Sequence, residues 1–142
     1  GGVLRAPLGH IELHASNSLF NAKVAISHRQ QGCVRFCYLA PESLTPRRFR
    51  CQPDLAVQGL PAKQAKAELA RVSPSFTSIT FGHPAYLQLH LATASEIRRG
   101  AEDGAEMGLW NLLQQPQREA NLQQAVAEYL RFGLEAGAIF VN

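Results

Sequence analysis

Apolar and polar residues alternate in short runs through the first part of the chain. Residues 9–14, 17–20, 23–28 and 33–39 each give about four to seven residues of strand-like pattern, rich in β-branched and aromatic side chains. The connections at 15–16, 21–22 and 29–32 are too short to hold a helical crossover. Antiparallel hairpins or the coils of a β-solenoid remain. The spacing favours the solenoid over a meander: Ile11 and Val24 stand thirteen residues apart, Val24 and Val34 ten. Asn-Gly and Asp-Gly hairpin turns are missing from this stretch, while Ala15, Ser16, Asn17, Asn21 and Ala22 suit tight corners.

The period changes further on. Residues 41–53 form a polar, proline-punctuated excursion, and 61–71 read as a short exposed helix with Pro61 in its first turn. Strands are expected at 76–81 and 86–91, either side of the Gly82, His83, Pro84 turn. Over 117–135, Leu122, Val126, Tyr129, Leu130 and Leu134 recur at helical spacing, with Pro116 before and Gly137 after. This predicts a docked helix, preceded by a turn or two over 107–113 and followed by a final strand at 138–141. The whole is a single domain, 1–142, mainly β with α: a short β-solenoid part over 1–60, capped by a helix-containing part over 61–142. A solenoid end needs such a cap to cover unpaired backbone groups and apolar core.

Composition fits this picture. The chain has 142 residues, 46% hydrophobic and 18% charged, with a net charge of +3, too apolar and too weakly charged for a disordered segment. No apolar run approaches the roughly 20 residues that span a bilayer. Seven bases against three acids give residues 1–60 a charge of +4, and seven against eight give 61–142 a charge of −1. Three cysteines, Cys33, Cys37 and Cys51, favour free thiols in a reducing compartment, with a Cys33 to Cys51 bridge as the competitor. With no secretory signal visible, a cytoplasmic location is expected.

Candidate chemistry is sparse. His10 and His14, placed on one strand, would lie about 13 Å apart, too far to share a metal ion. Cys33 and Cys37 fail the same test. Arg47, Arg48 and Arg50 surround Phe49 and could contact a polyanion, although one four-residue run falls short of a nucleic-acid signature. Glu102, Asp103 and Glu106 lie among three glycines and could form an acidic site. The one-three-five spacing of a calcium loop is missing there, so a structural turn held by ion pairs is the simpler reading. No motif for a catalytic centre, cofactor or metal emerges.

Three stretches, 13–20, 31–38 and 46–53, together with Phe76, Tyr86, 96–108, 115–122 and 129–137, resemble the late part of large uncharacterised bacterial proteins built on a right-handed parallel β-helix. Some β-helix proteins of this look belong to phage-tail-like or contractile-injection gene sets. The resemblance implies a terminal portion of a longer chain and no defined chemistry. The expected function is a non-enzymatic structural or protein-interaction module, with self-association or parent-chain coils as partner. The alternatives are a carbohydrate-active β-helix enzyme using Glu102, Asp103 or Glu106, and a polyanion-binding module using Arg47, Arg48 and Arg50. Neither a membrane nor a cofactor is called for.

Overall fold

The computed structural model describes residues 12–139 and the backbone of one further strand, Leu4–Arg5. Among these residues seven short strands come first: β1 (Leu4–Arg5), β2 (Leu13–Ser16), β3 (Leu19–Phe20), β4 (Val24–Ala25), β5 (Gly32–Arg35), β6 (Tyr38–Leu39) and β7 (Arg47–Phe49). Four helices follow: α1 (Asp54–Val57), α2 (Ala62–Arg71), α3 (Ser95–Arg98) and α4 (Gln115–Tyr129). The strands pair in parallel in three separate sheets, β1 with β4, β5 with both β2 and β7, and β3 with β6. Parallel pairing rules out the antiparallel meander. Leu13 pairs with Gly32 and Leu19 with Tyr38, a shift of nineteen residues, whereas Cys33 pairs with Arg47, a shift of fourteen.

The expected β-helix with a helical cap is not what the chain builds. Among the described residues its strands form small sheets of two, three and two members, and no sheet closes. Strands of two to four residues with unequal shifts do not propagate a regular coil, and after β7 the chain turns into helices and loops. The third strand of the central sheet shows the break in side chains. Ala15 and Val34 pair in register and pack inward, but the next partner in that row is Arg48, which is charged. Arg48 donates from Nε to Thr45 Oγ1 at 2.8 Å and from Nη1 to Asp54 at 2.7 Å, and from Nη2 to the Ser43 carbonyl. An apolar row that ends in a satisfied guanidinium offers no apolar surface on which a further strand would pack.

Other expectations shift as well. The predicted strands at 76–81 and 86–91 are loops joined by two isolated bridges, Phe76 with Leu89 and Ser78 with Tyr86, one antiparallel and one parallel. A left-handed residue, Leu87 with φ of 54°, breaks the second run. Helix α2 forms as predicted. Helix α4 starts near the predicted point but stops at Tyr129, because Leu130 is extended and Gly133 has φ of 84°. It is not a docked cap: the one residue it buries is Pro116. Residues 111–113 make one 3-10 turn, and Ala138 and Ile139 join no strand. The parts of predicted strands at 9–11 and 140–141 lie outside the described residues.

Two buried clusters hold the chain. One lies among the central strands, with Val34, Cys37, Leu39 and Cys51 closed by Leu13, Ala15 and Phe20. The other, Tyr38, Val72, Leu89, Ile97 and Met107, joins β6 to the segments after α2. Between the central sheet and the next, the chain turns a corner at Asn17, Phe36 and Arg50, and all three have φ near +50°. Backbone bonds stack the corners: Asn17 N–H donates to the Arg35 carbonyl and Phe36 N–H to the Phe49 carbonyl. Gly32, with φ of +97°, is required where β5 meets β2, since a Cβ there would collide with the Leu13 carbonyl oxygen.

Candidate functional site

The acidic loop runs from α3 to Gly108, and the fold gives its three carboxylates different tasks. Glu102 reaches Arg35 on β5 at 3.4 Å, and its N–H donates to Asn17 Oδ1 at 2.9 Å. Asp103 accepts from the Ala105 N–H at 3.0 Å, while its carbonyl accepts from Gln117 Nε2. Glu106 is buried, and its carbonyl accepts from Asn111 Nδ2. Burial pushes the Glu106 carboxyl above the ordinary carboxylate range, an effect the Arg98 charge partly offsets. The loop is thus a brace between β5, the first corner and α4. Among the described residues no group of three His, Cys, Asp or Glu is placed to hold a metal ion.

Arg98, α3's last residue, bonds Glu119 on α4 at 3.3 Å rather than the loop acids. A second ion-pair cluster ties α2 to α3: Arg71 holds Glu68 at 2.6 Å and also grips Glu96. Hydrogen bonds from Arg71 keep both carboxyls below their usual range.

The three arginines predicted to act together are separated. Arg48 is drawn inward and tied, whereas Arg47 and Arg50 are exposed, with the Arg50 guanidinium 5.8 Å over the Phe49 ring. A cavity of about 220 Å³ lies between Arg48, Arg50, Cys51, Asp54, Leu55 and Gln58. All three cysteines are free thiols, so the alternative Cys33 to Cys51 bridge does not form.

The largest departure from the expected pattern is apolar. Of the helical stripe that predicted docking, Leu122 is 50% exposed, Tyr129 88% and Leu134 60%, while Val126 and Leu130 are half-buried; Ile139, beyond the stripe, is 90% exposed. A groove of about 460 Å³ runs between α4 and the segment after it, lined by Leu122, Val126, Leu130 and Ala136 to Ala138. Ile79, Phe81, Leu109 and Leu112 are exposed too, which alternation and helix periodicity gave no means of foreseeing. Among the described residues no helix is long and apolar enough to cross a membrane. The fold class is thus small parallel sheets with four helices. No family model matches the chain, and neither does any curated protein or solved structure.

Proposed function

We propose that the chain is a protein-interaction module that self-associates through α4 and the segment following it. The observation that carries this reading is the run of exposed apolar residues Leu122, Tyr129, Phe132, Leu134 and Ile139, all within one stretch of eighteen residues. Exposed apolar side chains concentrated in this way mark an association site, because covering them removes large side chains from water at roughly 25 cal/mol per Å². A second copy of the chain fits the face. Each copy offers a groove and loose apolar side chains to fill it, as a two-fold contact requires.

Sedimentation velocity over a concentration series tests this. The wild type is expected to move from monomer to dimer, and Leu122→Lys with Tyr129→Lys is expected to stay monomeric with unchanged far-ultraviolet circular dichroism. A wild type that stays monomeric at the highest concentration reached overturns the reading. The acidic-loop and polyanion readings have less support, since Glu102 and Arg48 are engaged within the fold.

A further inference from the structure

On the outer face of the central sheet three chemically active side chains fall in one row. Register places His14 beside Cys33 and Cys33 beside Arg47, and adjacent strands lie about 4.8 Å apart. Their inward neighbours Ala15 and Val34 pack into the core, so alternation turns the row of three outward. His14 is exposed and its Nε2 lies 3.2 Å from Glu12. Arg47 is exposed, and among the described residues no hydrogen bond or ion pair engages it, whereas Arg35 in the next row is held by Glu102 and Arg48 by Asp54. Cys33 is partly accessible.

The other two thiols are different. Cys37 is fully buried and Cys51 nearly so. Burial pushes the Cys37 thiol up to about 11 and raises that of Cys51, which disfavours the thiolate needed for attack. Both also donate to backbone carbonyls, Cys37 to Arg35 at 3.1 Å and Cys51 to Val34 at 3.3 Å.

We propose that Cys33 is a surface thiol that exchanges with small acidic disulfides, with the imidazole of His14 and the unengaged guanidinium of Arg47 flanking it in register. In the step, the Cys33 proton passes to His14 or water and the thiolate attacks one sulfur of the disulfide. A bond forms between Cys33 Sγ and that sulfur while the reagent's own S–S bond breaks. The released thiolate takes up a proton and leaves as a thiol. No outside oxidant is needed, because the disulfide is itself the oxidant. Preference for an acidic reagent follows from Arg47, which meets a carboxylate through charge-assisted hydrogen bonds, and from the basic character of residues 1–60. This site lies on β2, β5 and β7 and shares no residue with the segment proposed for self-association.

The test uses oxidised glutathione, which carries carboxylates, against cystamine, which is cationic, with peptide mapping by mass spectrometry on the intact folded chain. The expected adduct is on Cys33, forming about tenfold faster with oxidised glutathione than with cystamine at low salt. That ratio is expected to collapse in Arg47→Ala and in high salt, while Cys33→Ser forms no early adduct. His14→Ala is expected to slow both reagents at neutral pH. Modification of Cys37 or Cys51 ahead of Cys33 overturns the proposal. So do equal rates for the two reagents in the wild type, or a ratio untouched by Arg47→Ala. Mapping the wild type keeps the site assignment testable even where a variant fails to fold.

Discussion

The left-handed corner is met in three ways. At Asn17 the side chain suits the conformation, and its Oδ1 and carbonyl receive the N–H groups of Glu102 and Gly108 at 2.9 and 2.8 Å. Phe36 packs edge-on against Phe49 with ring centroids 5.7 Å apart. Arg50 is exposed and gains little beyond its contact with Phe49, so its conformation is the least compensated. Arg50→Asn is expected to stabilise the fold by about 0.5 kcal/mol in urea unfolding, the relief of a left-handed L residue less the lost ring contact. Asn17→Ala is expected to cost about 1–3 kcal/mol, through strain and a donor left without its acceptor. Glu106 gives a pH signature. Its carboxyl titrates above its unfolded value in the fold, so the folded state holds the extra proton and stability falls as pH rises through that window. Glu106→Gln is therefore expected to be more stable than wild type at pH 7, with the advantage fading toward pH 4; denaturant titrations at the two pH values measure it. An equal difference at both would contradict it.

Among the elements, α2 was legible in the sequence because Pro61 and an unbroken run of helix formers speak locally. Short connections left only hairpins or stacked parallel strands, and the strands are parallel, but the spacings of thirteen and ten that favoured stacking are not the observed shifts, and Val24 and Val34 lie in different sheets. The strands' failure to form a closed solenoid was not legible, because it depends on Arg48 standing where Ala15 and Val34 stand, a match visible only once the fourteen-residue shift is known. The same shift hides the row of His14, Cys33 and Arg47: the spacings of nineteen and fourteen are in the sequence, but nothing local marks them as neighbours. For α4 the periodicity holds as far as Tyr129, leaving Leu130 and Leu134 outside the helix, and it does not tell what covers the stripe. An apolar stripe says that a face wants cover, without saying that the same chain supplies it. Leu122→Ala is accordingly expected to change the monomer's stability by less than about 0.5 kcal/mol. Leu39→Ala, at a fully buried position, is expected to cost about 2–5 kcal/mol. Denaturant midpoints for the two variants make the comparison.

At the scale of the molecule, the two buried clusters are expected to unfold as one cooperative unit. Leu39 lies in the strand cluster, yet its neighbour Tyr38 lies in the other, so β6 contributes to both. Ile97→Ala in the second cluster is expected to shift the same single unfolding transition as Leu39→Ala, followed by fluorescence of Trp110 and by far-ultraviolet circular dichroism. Two separate transitions would show that the clusters melt independently. The bond between Asn17 and Glu102 spans 85 residues of chain. At cellular synthesis rates Glu102 follows Asn17 by about 4–17 s. For that interval the first corner of a nascent molecule lacks its clamp, although all seven strands, which end at Phe49, have already been made.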